Sequence, residues 1–123
     1  IGFDRIFAEE IAKKYPQLEI TFCVRGEIIL NDATRADAEA VGIPFPVIDN
    51  GNRIAGTQID MMSPESRRAL ETADVVLSKG MANCETMYGC GHNIYYAFLI
   101  KCQRFVDRFG KPMFTPMLVA ERA

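Results

Sequence analysis

Short apolar segments alternate along this chain with segments of helical periodicity, and this alternation is the feature that most constrains its fold. The predicted strands lie at residues 19–25, 28–30, 47–48, 74–78, 93–100 and 113–119. The predicted helices lie at residues 3–15, 35–41, 64–73 and 102–109, and a short helix or turn is expected after Gly80 through Met87. The clearest strands are apolar throughout, which is typical of a parallel sheet covered on both faces. The sequence therefore predicts an α/β protein, a three-layer α/β/α sandwich with a mostly parallel sheet.

Several helix and strand boundaries carry local signals. Thr34 is a predicted N-cap, with Asp37 three residues later in the position of the capping-box acid. Ser63 and Pro64 form a second start signal, because serine caps a helix well and proline suits its first position. Pro116 within the last predicted strand favours an edge position, since proline cannot donate a hydrogen bond to a neighbouring strand.

The length and charge of the chain limit its class. Its 123 residues suffice for one domain, which we expect over residues 1–123. The 14 basic and 16 acidic side chains give a net charge of −2, without the basic field that nucleic acid requires. No apolar run is long enough to span a membrane, so neither a membrane nor nucleic acid is an expected partner. Ile1 stands where a helix is already under way, and we expect the domain to lack its N-terminal portion.

The four cysteines are spaced without a CxxC pair. In a chain with this much core-forming sequence, reduced cysteines and a cytoplasmic location are expected. A zinc site could combine Cys84, Cys90, His92 and Cys102, but that spacing fits no common zinc pattern.

Polar residues follow several apolar runs where ligands bind in a parallel sheet, at the carboxyl ends of the strands. Arg25 ends the run at residues 19–25, Asn31 and Asp32 follow residues 28–30, and Lys79 with Gly80 follows residues 74–78. Two cations, a carboxylate and an amide on neighbouring strands indicate a site for phosphate and a metal ion. Glycine beside the lysine lets the backbone approach an anion closely.

Each of these residues also has a purely structural interpretation. Charged residues at strand ends are often solvated, and Asx residues often open turns or cap helices. Such roles stay open for Arg25, Asn31, Asp32, Lys79, Asn83, Glu85 and the single histidine, His92.

The ordered segments GFDRIFAEEI, VRG, ILND and ADVVLSKGMANCET, with Asn50-Gly51 and Gly56-Thr57 between them, give the chain a family resemblance. From Gly2 to about Cys102 it resembles the damage-control phosphatases, a metal-dependent family first catalogued as a domain of unknown function. This resemblance implies a Rossmann-like α/β/α domain that carries a divalent metal ion: manganese, nickel, cobalt or magnesium.

The resemblance also assigns roles to individual residues. Asp32 matches a metal ligand and catalytic residue, and Lys79 matches the catalytic, phosphate-binding lysine. The other implied substrate-binding positions are Arg25, Asn31, Gly80, Asn83 and Glu85. The family's further metal ligands, an Asp-Asn pair, would precede Ile1. Ala82 and Cys84 depart from the glycine and aromatic residue that the family favours within its KG…N…E motif.

The function expected from these residues and this resemblance is hydrolysis of small phosphorylated metabolites, such as sugar phosphates or damaged cofactor precursors. No phosphatase signature loop with a cysteine or serine nucleophile is apparent, so we expect direct attack by water activated by the metal. One alternative is a non-catalytic module that binds nucleotides or phosphate. Another is transfer of methyl groups to protein carboxylates, although the glycine-rich fingerprint of a cofactor loop is absent from the sequence.

Overall fold

A computed structural model describes residues 1–122 and shows a mixed α/β chain. Its helices are α1 (Gly2–Lys14), α2 (Arg35–Ala40), α3 (Pro64–Thr72), α4 (Met81–Met87) and α5 (Gln103–Phe109), with a short 3-10 helix at Ile59–Met61. Its strands are β1 (Phe22–Val24), β2 (Val47–Asp49), β3 (Val76–Lys79), β4 (Ile94–Leu99) and β5 (Pro116–Glu121). The four predicted helices are all present, and the segment predicted as a short helix or turn forms α4. Within residues 1–122, no helix has both the length and the apolar character needed to cross a membrane.

The strands form two sheets. β1 and β2 pair in parallel, with Phe22 opposite Val47. β3 and β4 also pair in parallel, and β5 joins the free side of β4 in the antiparallel direction. The predicted parallel pairing is therefore present, and β5 occupies a sheet edge as Pro116 indicated. The three-layer arrangement stays a prediction.

The chain divides into two compact units. The first contains Ile1–Arg53 and Met62–Arg67, and the second contains Ile54–Met61 and the residues from Arg68 onward. Each unit holds one of the two sheets, and each is described by itself below. A single domain over residues 1–123 stays a prediction.

In the first unit, the predicted caps form as expected. Asp37 Oδ2 accepts hydrogen bonds from the Thr34 backbone N–H at 2.8 Å and from the Thr34 hydroxyl at 2.9 Å, which starts α2. These bonds lower the pKa of Asp37, the backbone bond most of all. The Ser63 hydroxyl accepts a hydrogen bond from the Ser66 backbone N–H at 3.2 Å and caps α3 in the same manner.

α1 has the predicted helical periodicity, but its apolar stripe is not covered. Phe3, Ile6 and Phe7 are all exposed, and Ala8 is the buried residue of the helix. The periodicity therefore identified the helix correctly, while no part of residues 1–122 covers that face.

The prediction of a strand at residues 28–30 is wrong. Ile28 and Leu30 are exposed, Leu30 has a φ of 49°, and the Asp32 N–H donates to the Ile29 carbonyl at 3.1 Å. The segment does not pair with a strand and leads into a turn at residues 29–32. Asp32 therefore follows a turn and not a strand end.

The core of the second unit is built on β4. Ile94, Tyr96 and Phe98 are buried, whereas the residues between them are half-buried, so β4 alternates instead of being covered equally on both faces. Phe98 packs edge-on against Phe105 of α5, with ring centroids 5.5 Å apart. This cluster supports β3, the neighbouring strand that carries Lys79 at its end.

The loop before β4 is closed by a carboxylate from β5. Glu121 accepts hydrogen bonds from the Gly89 and Gly91 backbone N–H groups at 3.1 Å and from the buried Tyr96 hydroxyl at 2.9 Å. Both glycines have positive φ, which lets their N–H groups converge on one anion. Burial acts to raise the pKa of Glu121, but these hydrogen bonds outweigh it and the pKa lies below its ordinary value.

Candidate functional site

The carboxyl end of β1 gathers polar residues from three adjacent segments. Val24 pairs with Asp49 of β2, and the Arg25 N–H donates to the Ala33 carbonyl at 2.9 Å on the other side. Arg25 also forms an isolated parallel bridge with Thr34. The end of β1 therefore lies between β2 and residues 32–34, and this end of the pair is called the β1 rim below.

Arg25 and Asp32 form an ion pair on the β1 rim. Arg25 Nε donates to Asp32 Oδ2 at 2.8 Å, and the Arg25 side chain is 9% exposed whereas that of Asp32 is 39% exposed. A buried guanidinium is stable only when its charge is compensated, so Asp32 supplies the balancing charge. Asp32 thus combines contact with a buried cation and access to solvent, and its Oδ2 atom is the one engaged by Arg25.

Asp32 and Asn31 have the donor chemistry of a hard-metal site but do not complete one. Carboxylate and amide oxygens suit magnesium or manganese, and both side chains are exposed on the turn before Thr34. Among residues 1–122, no three histidine, cysteine, aspartate or glutamate side chains form a group that could hold a metal ion. Asp32 and Asn31 are therefore the hard-oxygen donors that this turn offers, and a metal-binding role for Asp32 stays a prediction.

Asn50, at the end of β2, is a residue of the β1 rim that sequence reasoning did not single out. Its side chain is buried, and its Oδ1 accepts hydrogen bonds from the backbone N–H of Gly26 at 2.9 Å and of Asn52 at 3.3 Å. Its own N–H donates to the Val24 carbonyl at 3.0 Å. The Asn50-Gly51 pair does not indicate this role in the sequence, because asparagine before glycine commonly serves only the turn in which it lies.

A second carboxylate near the β1 rim is occupied by structural contacts. Asp49 Oδ2 accepts from Arg35 Nε at 2.5 Å, and Asp49 Oδ1 accepts from the Gly51 N–H at 2.9 Å. Arg35 also donates to the Val47 carbonyl at 2.6 Å. Asp49 therefore ties α2 to β2 and does not present both oxygens to a ligand.

In the second unit, Lys79 ends β3 and Gly80 begins the turn into α4. Lys79 is exposed, and the Gly80 N–H donates to the Ala97 carbonyl of β4 at 2.9 Å. Gly80 has φ 100° and ψ 148°, a conformation that is essentially restricted to glycine. A Cβ atom at Gly80 would meet no heavy atom within 4 Å, so the glycine serves the backbone conformation and not the packing.

Asn83 and Thr57 brace this turn. Asn83 Nδ2 donates to the Lys79 carbonyl at 2.6 Å, and Asn83 Oδ1 accepts from the Thr57 hydroxyl at 2.8 Å. The Thr57 N–H donates to Thr86 Oγ1 at 2.8 Å, and a Cβ atom at Gly56 would lie 2.7 Å from that same oxygen. The Gly56-Thr57 segment therefore packs closely on α4 and fixes the position of the Lys79 backbone. Sequence reasoning noted this dipeptide only as part of a family pattern.

Glu85 forms a salt bridge with another side chain of the second unit. Its carboxylate pairs with Arg104 of α5, and both side chains are exposed. This contact agrees with the structural alternative for Glu85, while its substrate-binding role stays a prediction. His92 lies in the loop that precedes β4 and that Glu121 closes. None of the four cysteines forms a disulfide bond within residues 1–122, namely Cys23, Cys84, Cys90 and Cys102.

A shallow depression of about 380 Å³ lies beside the Gly56-Thr57 segment, lined by Gln58, Ile59, Asp60 and Thr86.

Within the first unit, the structure brings Arg25 and Asp32 together, with Asn31 adjoining them. Within the second unit, it brings together Lys79, Gly80 and Asn83, and it directs Glu85 to α5.

The sequence of the chain is similar to those of known proteins. The sequence profile of the Damage-control phosphatase ARMT1-like domain matches residues 1–115. An "uncharacterized protein" of Methanocaldococcus jannaschii is 37% identical over 116 residues, which cover 89% of this chain and 38% of that protein. A "damage-control phosphatase" of Archaeoglobus fulgidus is 36% identical over 114 residues, which cover 89% of this chain and 39% of that protein.

A solved structure is also similar. The crystal structure of a DUF89 family protein from Pyrococcus horikoshii superposes with a TM-score of 0.89 at 28% identity, covering 96% of this chain and 42% of that chain. The chain thus spans about two fifths of the length of the relatives that it matches.

Proposed function

Since the chain belongs to the damage-control phosphatase ARMT1-like domain family, we propose that the complete protein is a metal-dependent phosphatase. Its substrates would be small phosphorylated metabolites, such as sugar phosphates or damaged cofactor precursors. The observation that carries this proposal is the Arg25–Asp32 pair on the β1 rim, where a solvent-accessible carboxylate rests on a buried cation. We place the protein in the cytoplasm, in keeping with its free thiols.

Asp32 is the residue of this chain that we assign to the metal ion, with the Asn31 amide beside it. A divalent cation held there would neutralise the charge of the phosphoryl oxygens and activate water for attack. Arg25 holds Asp32 Oδ2 at 2.8 Å and so fixes the orientation of the carboxylate. A carboxylate held in one orientation binds a cation without first having to reorganise.

Lys79 is the residue that we assign to the phosphate. Its ammonium group is a compact positive charge on an exposed side chain at the end of β3. Gly80 and Asn83 act through the backbone, since Gly80 permits the turn and the Asn83 amide holds the Lys79 carbonyl at 2.6 Å. Glu85 and its partner Arg104 lie on α4 and α5, and substrate binding by Glu85 would require that pair to open.

The proposed reaction transfers the phosphoryl group directly to water. The attacking water replaces the alcohol at phosphorus, the P–O bond to the alcohol breaks, and the alcohol leaves with a proton. We assign no cysteine or serine of this chain as a nucleophile, and the proposed reaction therefore includes no covalent phosphoenzyme.

The test is hydrolysis of para-nitrophenyl phosphate and a panel of sugar phosphates by the complete protein, with magnesium, manganese, cobalt or nickel. Turnover should be lost when the wild type is treated with a chelator and when Asp32 is replaced in Asp32→Ala. Added metal should restore turnover to the chelated wild type but not to Asp32→Ala. Turnover that survives both treatments would overturn the proposal. Saturable phosphate binding without turnover under all metals would instead indicate a non-catalytic binding module.

A further inference from the structure

Asn50 on the β1 rim has a buried side chain whose amide oxygen accepts two hydrogen bonds, while its amide nitrogen has no partner within residues 1–122. The residue is 3% exposed. Its Oδ1 faces two backbone N–H groups, of Gly26 and Asn52. Because a backbone N–H can only donate, the atom that faces them must be the oxygen, and the orientation of the amide is fixed.

The amide nitrogen of Asn50 therefore points away from that loop. Nδ2 has no hydrogen-bond partner within residues 1–122, and no fully enclosed side-chain nitrogen or oxygen atom in this range lacks one. Nδ2 must consequently reach the surface through the small exposed fraction of the residue. A buried amide whose donor is aimed at an opening is suited to a ligand, because a hydrogen bond there replaces water at little conformational cost.

The surroundings of Asn50 select the chemistry of that ligand. The β1–β2 register, continued by one residue beyond Val24 and Asp49, places Asn50 beside Arg25. Nδ2 can only donate, so the ligand atom must be an acceptor. Oδ1 is committed to two N–H groups, which leaves Asn50 unsuited to bind a metal ion. Two carboxylates lie nearby, but Asp32 is paired with Arg25 and Asp49 with Arg35, so their negative charges are balanced.

We propose that Asn50 is a substrate-binding residue whose side-chain NH₂ group donates a hydrogen bond to an oxygen of phosphate bound at the β1 rim. The proposal rests on the proposed phosphatase function, because that function supplies the phosphate. It adds a neutral donor to the residues already assigned. Asn50 also positions Arg25, since its Oδ1 holds the adjacent Gly26 N–H at 2.9 Å.

The substitution Asn50→Asp separates these two roles. A carboxylate at residue 50 can still accept from the Gly26 and Asn52 N–H groups, so the loop and the fold are retained. It cannot donate to phosphate, and its charge opposes an anion. A matched control is Gln103→Glu, the same amide-to-carboxylate change on the exposed face of α5.

The measurement is titration of the complete protein with inorganic phosphate, with manganese present and again after chelation, alongside turnover of para-nitrophenyl phosphate. We expect Asn50→Asp to weaken phosphate binding by on the order of tenfold or more, while Gln103→Glu binds like the wild type. Equal affinity of Asn50→Asp and the wild type would overturn this inference and leave the phosphatase proposal standing. Weakened phosphate binding in a protein that never turns over substrate would support this inference and overturn the phosphatase proposal.

A structure of the wild-type protein with inorganic phosphate makes the inference testable even if Asn50→Asp does not fold. A phosphate oxygen should lie within hydrogen-bond distance of Asn50 Nδ2. Phosphate bound elsewhere, with Nδ2 in contact with solvent, would overturn the inference, as would a wild-type protein that binds no phosphate.

Discussion

Arg25 Nε lies 2.8 Å from Asp32 Oδ2, and the two ends of this contact have unequal access to water. The guanidinium is buried. The carboxylate is exposed on a turn. The group that compensates the buried cation is therefore also the group offered to solvent, so under the proposed function stability and metal binding are linked at Asp32.

Asp32→Asn should affect both properties. The amide removes the charge that balances Arg25, and we expect the free energy of unfolding to fall by about 1–3 kcal/mol. Metal-dependent turnover should fall by on the order of a hundredfold or more, because an amide is a weaker ligand for a divalent cation. The measurements are urea denaturation and a metal titration of activity. Asp107→Asn, on the exposed face of α5, is the control, and a variant at residue 32 with wild-type turnover would contradict the prediction.

Lys79→Met should act on binding more than on folding. The side chain is exposed, so its loss should change the free energy of unfolding by less than about 0.5 kcal/mol. Removal of a positive charge from a phosphate site should raise KM for a phosphomonoester by about tenfold or more. Steady-state kinetics across a substrate series separates KM from kcat. The matched control is Lys111→Met in an exposed loop, and equal kinetics for the two variants would exclude Lys79 from the site.

Gly56→Ala should detach the Gly56-Thr57 segment from α4. The new Cβ atom would lie 2.7 Å from both the Ala82 carbonyl oxygen and Thr86 Oγ1, at a φ of 77°. Steric overlap and backbone strain together should cost about 2–4 kcal/mol. Thermal and chemical denaturation give the value.

Gly110→Ala is the control for Gly56→Ala, because Gly110 has a φ of 62° and a methyl group added there would meet no heavy atom within 4 Å. That change should cost only the strain of a left-handed residue, about 1–2 kcal/mol. Equal losses at the two glycines would show that the close contact with α4 contributes nothing.

Glu121→Gln should change the acid limb of the stability profile. The pKa of Glu121 lies below its ordinary value of 4.5, so the folded state favours the ionised carboxylate. Its contribution is present above the unfolded pKa and is lost as the pH falls through the lower folded pKa. The difference in unfolding free energy between wild type and variant should therefore shrink below about pH 4.5. Denaturation from about pH 3 to about pH 7 measures it, with Glu39→Gln on α2 as control. A difference that stays constant over this range would contradict the prediction.

Local sequence signals predicted the elements that depend on neighbouring residues. The Thr34–Asp37 capping box and the Ser63 cap involve partners three residues apart, and both formed as predicted. The position of Lys79 at the end of a strand was likewise predicted, because an apolar run followed by Lys-Gly has a local boundary.

Features that depend on contacts between residues far apart in the chain could not be predicted from local sequence patterns. Residues 28–30 have strand-forming side chains but pair with no strand, and the chain turns at residues 29–32. The antiparallel direction of β5 is decided by its pairing with β4. The importance of Asn50 depends on Gly26, 24 residues earlier in the chain, and no pattern within the Asn-Gly turn indicates that contact.

The two hydrogen bonds that Asn50 Oδ1 accepts also protect this residue against deamidation. Asn-Gly sequences deamidate when the glycine nitrogen attacks the asparagine side-chain carbon, ammonia leaves, and the resulting succinimide is hydrolysed. Here the amide is held by Gly26 and Asn52, and the Gly51 N–H is bound to Asp49, so neither reactant is free to approach the other. Heat or partial unfolding removes this protection. In a preparation stored under such conditions, Asn50 would slowly become a mixture of isoaspartate and aspartate.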